Sequence, residues 1–146
     1  MLQNTEQKGG KTMAKSKDSD SKEIREQKQL LGKLIKECRG KNSLRSVAAA
    51  VGLPPSNLKY IEDGVNAPSP ETYKSLVCEL NPQDSMQKDM DHAYMVIRSA
   101  PPPDVCKVVT DNEELNDSLR IIKGRKLTPQ QFQELNTLLR SFSENQ

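Results

Sequence analysis

The chain has 146 residues and a formal net charge of +2; 34% of its residues are hydrophobic and 29% are charged. So small an apolar share excludes one compact core over the whole length and points to a small helical core with polar extensions. The net charge is too low to name a partner, and no apolar run approaches the roughly 18 residues of a membrane span.

Residues 1–22 are rich in Lys, Ser, Asp and Gly, and read as a disordered tail. With no apolar stretch behind its basic start, the tail does not read as a secretory signal, and the expected location is the cytoplasm. Two readings of residues 1–12 stand. Lys8-Gly9-Gly10 back-translates to a bacterial ribosome-binding sequence a few nucleotides before the codon of Met13, which would make these residues translated leader. The other reading is an ordinary flexible tail.

From Ile24 onward Leu30, Leu31, Leu34, Ile35 and Cys38 recur at three- and four-residue steps, the signature of an amphipathic helix that Gly40 ends. Ser43 is a good N-cap for a second helix carrying Leu44, Val47, Ala48 and Val51, with Gly52 as its stop. A third, short helix is predicted from Pro55 to Asp63, with Leu58 and Ile61 inward and Gly64 closing it. Ser69 and Pro70 start a fourth, whose buried stripe is Tyr73, Leu76, Val77 and Leu80. After the break at Asn81-Pro82 a fifth helix is predicted over 83–98, with Met86, Met90, Tyr94 and Ile97 on one side.

Pro101, Pro102 and Pro103 read as a stiff spacer. Beyond them lie "DVCKVV", then a segment with Leu115, Leu119 and Ile122, then a helix opened by Thr128, Pro129 and Gln131, a capping box. That last helix has Phe132, Leu135, Leu138, Leu139 and Phe142 on one face. No segment alternates as a half-buried strand does. The expected fold is all-α: a compact helix-turn-helix bundle of about five helices over 23–98, a tail before it, and a proline spacer with a helical association region over 99–146.

Catalysis finds no foothold. The three cysteines, Cys38, Cys78 and Cys106, form no CxxC pair, suggest no disulfide framework, and read as buried thiols in a reducing compartment. The one histidine, His92, lies in "DMDHAYM" without a nucleophile in any recognisable motif, and reads as a surface residue of a helix. With neither a glycine-rich phosphate loop nor zinc spacing, the chain is expected to be no enzyme and to use no cofactor and no metal.

The informative stretch is "SLRSVAAAVGLPPSNLKYIEDG". Two short helices joined by "VGLP" make a helix-turn-helix. Ala48, Ala49 and Ala50 let the helices approach, Gly52 permits the left-handed turn, and the third helix is held outward, able to enter a DNA major groove about 12 Å wide. With "LGKLIKECR" before it and "PSPETYKSLVCEL" after it, this segment resembles the phage-repressor/Cro-type (XRE) helix-turn-helix family over residues 31–80. The resemblance implies a regulator of transcription from a bacterial mobile element or phage, binding double-stranded DNA at an operator as a homodimer. It also implies that Arg39 pairs with Glu62, tying the first helix to the end of the third. On the recognition helix Ser56, Asn57, Lys59 and Tyr60 should be exposed, with Asn57 suited to adenine and Lys59 or Tyr60 to base or phosphate. Lys41 and Arg45 flank the second helix and suit phosphates. Lys33, Lys36 and Arg39 add to a locally basic surface.

The segment departs from the family pattern in two respects. Leu44 stands where a phosphate-holding glutamine is common, and Pro54-Pro55 stand where a Ser or Thr cap and a polar side chain are common. Proline is tolerated in a first helical turn but cannot donate to a base or phosphate. Hence a second reading: an antitoxin-like or accessory adaptor that uses the helix-turn-helix to bind another protein.

Overall fold

The structure, a computed structural model, describes residues 20–145. The expectations of a tail and of a translated leader fall almost wholly on residues 1–19, outside those described. Of the last three residues of the expected tail, Asp20 and Ser21 precede the first helix and Lys22 already belongs to it. Among the described residues the chain is all-helical, with eight helices and no strand: α1 Lys22–Arg39, α2 Leu44–Ala50, α3 Pro55–Glu62, α4 Pro70–Leu80, α5 Asp84–Arg98, α6 Pro103–Asp111, α7 Glu113–Arg120 and α8 Pro129–Glu144. The chain divides into two compact units, the first ending at Asp104 and the second starting at Val105, within the first turn of α6.

α1 starts slightly earlier than the apolar pattern does, because Ser21 caps it: its hydroxyl accepts from the Ile24 amide at 3.2 Å. Gly40 ends the helix at φ +54° and donates back to the Glu37 and Lys36 carbonyls. Ser43 caps α2 through the Ser46 amide, and Ser69 caps α4 through the Thr72 amide. Each satisfies one of the orphan amides of a first helical turn. Asn81 takes the left-handed conformation at the end of α4.

The core of the first unit is Leu31, Ile35, Val47, Ala48, Leu58, Ile61, Tyr73, Leu76, Met90, Ala93 and Tyr94. α1 is the central element and packs on α3, α4 and α5; α2 packs chiefly on α3. Tyr73 of α4 and Tyr94 of α5 stack with ring centroids 4.2 Å apart and planes 18° from parallel. The Tyr73 hydroxyl donates to Asp91 Oδ1 at 2.5 Å, so its polar end stays satisfied inside the core. Arg98 at the end of α5 donates to the Pro68 carbonyl at 2.6 Å and the Ala67 carbonyl at 3.3 Å, fixing the loop before α4.

Some expected burial is corrected. The buried line of α1 runs through Leu31, Gly32 and Ile35, so Leu30, one step further round, is exposed. Only Ala48 of the three alanines is buried; Ala49 and Ala50 face outward. Cys78 is exposed, since Tyr73 and Leu76 take the inner side of α4, and Cys38 and Cys106 are half-buried. Of the three prolines Pro101 is exposed, Pro102 is buried and Pro103 opens α6.

The second unit holds most of α6, then α7 and α8. Thr128 and Gln131 form the capping box of α8, with both reciprocal bonds present. No residue of α7 or α8 is buried.

Candidate nucleic-acid interface

α3 is held by two close approaches to α1. A Cβ at Gly32 would lie 2.4 Å from the Ile61 carbonyl oxygen and 2.6 Å from that of Glu62, so only glycine allows α1 this near. At Gly64, with φ +71°, a Cβ would lie 2.7 Å from Gln29 Cα. The backbones of α1 and of the end of α3 are therefore in direct contact.

Arg39 and Glu62 lock the same crossing. Arg39 Nε donates to Glu62 Oε1 at 2.6 Å and Nη2 donates to Oε2 at 3.0 Å, a two-pronged pair. The Glu62 side chain is 2% exposed and that of Arg39 15%. The bond to Glu62 pushes the guanidinium's pKa still higher, so its charge is permanent. Arg39 Nη1 also donates to the Asn42 carbonyl at 2.7 Å, which fixes the turn between α1 and α2. With its charge spent on Glu62, Arg39 drops out of the basic surface expected around the motif.

The turn between α2 and α3 is set by the chain itself. Gly52 takes φ +71°, and the Leu53 amide returns to the Ala48 carbonyl at 2.8 Å. Pro54 is the N-cap of α3 and Pro55 its first residue, with no side-chain capping bond. The Pro54 carbonyl accepts from the Asn57 amide at 3.0 Å and the Leu58 amide at 3.3 Å, so the helix starts without a polar cap. Two residues at this tip have no N–H to offer an anion.

On α3 Leu58, Ile61 and Glu62 are buried, while Ser56, Asn57, Lys59 and Tyr60 are exposed, Tyr60 by 48%. These four residues share the outer side of one helix that is rigidly tied to α1. Lys59 is not a loose cation: its Nζ meets both carboxylate oxygens of Asp63, at 2.7 and 2.8 Å. Lys41, in the turn after α1, and Arg45, in the first turn of α2, are exposed, as are Lys33 and Lys36. Sequence reasoning missed Asp63 as the partner of Lys59, although the four-residue spacing on a helix announces it. It also missed Gly32, whose role depends on a crossing that local pattern does not reveal.

A cavity of about 200 Å³ lies elsewhere in the first unit, lined by Tyr73, Val77, Cys78, Asp91, Pro103 and Asp104 among others. Burial, then the bond to Asp91, raises the Tyr73 hydroxyl well above the ordinary tyrosine range, so it stays protonated at neutral pH. That suits a structural bond and not acid–base chemistry. Among the described residues no group of His, Cys, Asp or Glu is placed to hold a metal ion, and no helix is long and apolar enough to cross a membrane. The chain matches no protein-family model, and no curated protein is significantly similar to it.

Proposed function

We propose that the chain is a sequence-specific DNA-binding regulator of transcription of the phage-repressor/Cro type, from a bacterial mobile element or phage, acting as a dimer on an operator. The observation that carries this reading is the outer side of α3: Ser56, Asn57, Lys59 and Tyr60 exposed on a helix whose inner side is clamped to α1. A helix fixed in this way can present side chains to base edges without losing their register. Asn57 offers the amide that pairs with adenine, and Lys41 and Arg45 offer cations to phosphates. Lys59 reaches DNA after parting from Asp63, and Asp63 itself repels phosphate.

Selection of bound sequences from random double-stranded DNA tests the reading. Asn57→Ala should weaken binding to the selected sequence by about 1–3 kcal/mol and relax the preference at one base pair. Arg45→Ala should weaken all sequences alike and flatten the salt dependence. Asp63→Asn should tighten binding, by removing a negative charge and releasing Lys59. Recovery of no preferred sequence at physiological salt refutes the proposal.

A second reading, an adaptor that binds another protein through α3, has its own support in the Pro54-Pro55 tip, which lacks a polar cap and two amide donors. Retention on heparin that is lost with added salt separates the two, since only the DNA reading requires a polyanion site.

A further inference from the structure

α8 is a 16-residue helix with a well-made cap and an apolar side that its own unit covers only in part. Phe132, Leu135, Leu138, Leu139 and Phe142 are each between 39% and 59% exposed. Phe132, Leu135, Leu139 and Phe142 follow the three-four-three spacing of a coiled-coil seam. Over ten helical steps, about 15 Å at 1.5 Å per residue, this is too long an apolar stripe to remain in water by default.

Leu138 apart, the stripe is symmetric about Thr137. Phe132 and Phe142 each lie five residues from it, and Leu135 and Leu139 each lie two. We infer that α8 pairs with α8 of a second copy of this chain, antiparallel, about a two-fold axis at the height of Thr137, which itself lies on the opposite side of the helix. That register sets Phe132 against the partner's Phe142, Leu135 against the partner's Leu139, and Leu138 against the partner's Leu138 close to the axis. The residues flanking the seam, Gln131, Asn136 and Ser143, carry no charge, so two identical helices meet without like-charge repulsion. Glu134, Arg140 and Glu144 fall outside the seam on the helical period.

Two further observations favour the antiparallel direction and a second copy as the occupant. A parallel pair would align the helix dipoles and place Leu138 opposite the partner's Ser143, leaving that leucine poorly covered. In addition, Leu139 and Phe142 line one side of an open groove of about 840 Å³ whose other side includes Val108 and Leu115. The antiparallel register brings the partner's Phe132 to this groove, and the two-fold axis repeats the insertion on the partner. The interface then includes α6 and α7 as well as the seam.

The contact supplies the dimer named in the proposed function and takes its biological sense from that reading. It is measured without DNA, so the two can fail separately. Sedimentation equilibrium on the full chain at micromolar concentration should show a dimer, and Leu139→Glu should weaken it at least about tenfold. Because Leu139 is half exposed, the variant should keep its helical circular dichroism. In a full chain with Cys38, Cys78 and Cys106 replaced by alanine, Leu138→Cys should cross-link to its own copy under mild oxidation, and Phe132→Cys should not. This second measurement stands even if Leu139→Glu fails to fold. A monomeric full chain, a dimer indifferent to Leu139→Glu in a folded variant, or cross-linking through Phe132→Cys in place of Leu138→Cys overturns the inference.

Discussion

Glu62→Ala is the sharpest perturbation of the first unit. The carboxylate is almost fully buried and receives both prongs of Arg39, at 2.6 and 3.0 Å. Removing one partner of a buried ion pair strands the other charge and costs about 3–5 kcal/mol when burial is complete. Arg39 keeps its bond to the Asn42 carbonyl and is 15% exposed, so part of its charge can still be hydrated. The loss should therefore fall near the lower end, about 3 kcal/mol. For a domain of 60–100 residues this lowers the melting temperature by roughly 12–24 °C, at 4–8 °C per kcal/mol. Thermal and urea melts followed by circular dichroism measure it. Arg39→Met with Glu62→Leu should recover much of the loss, because apolar residues of similar volume leave no stranded charge. A Glu62→Ala melting temperature within about 2 °C of the parent would mean a loss below about 0.5 kcal/mol, and would show that the pair does not hold α3.

Gly32→Ala tests the backbone crossing by the sign of its effect. In an ordinary exposed helix the change gains about 0.5–1 kcal/mol, but here the new methyl would sit 2.4 Å from the Ile61 carbonyl oxygen, so urea melts should show a loss of about 1–3 kcal/mol. Ser43→Ala should cost about 1 kcal/mol by releasing the Ser46 amide at the start of α2, while Ser46→Ala, an exposed change inside the same helix, serves as its control. Tyr73 sets an alkaline limit. Its pKa is raised by burial and by the bond to Asp91, so above the ordinary value of 10.0 the unfolded chain binds fewer protons than the folded one. The stability it contributes is complete below that pH and falls as the pH rises above it. Tyr73→Phe should cost about 1.5–3 kcal/mol at pH 7 and blunt the alkaline loss, as read from melts between about pH 7 and 11.

Much of the fold can be read locally because local chemistry decides it. Ser43, Ser69 and Thr128 announce their helices through the amides they cap, and Leu58 and Ile61 orient α3 by spacing alone. The pairing of Arg39 with Glu62 is legible only through family resemblance; no period links residues 23 apart. Gly32 is illegible for a different reason. A glycine inside a helix reads as a weak point until a second backbone is known to cross it. Cys78 misleads because its apolar neighbours point inward while it does not. At the candidate interface the exposed side of α3 is legible, but Lys59 reads as free unless Asp63, four residues on, is weighed with it. The extent of α6 is also hidden, since a triple proline suggests an extended segment even where its last residue starts a helix.

The lopsided support of α2 and α3 has a consequence for how the first unit opens. α2 has seven residues, two of them buried, and leans chiefly on α3, whereas α3 is fastened to α1 by a backbone crossing and an ion pair. Amide hydrogen exchange should then be graded. The amides of α1 and α5 exchange only when the whole unit unfolds, and those near the end of α2 exchange through a cheaper, local opening. Such an opening detaches Val47 and Ala48 from the core but leaves Gly32, Ile61 and Glu62 in place. The outward side of α3 thus keeps its orientation through the fluctuations that reach its neighbour first.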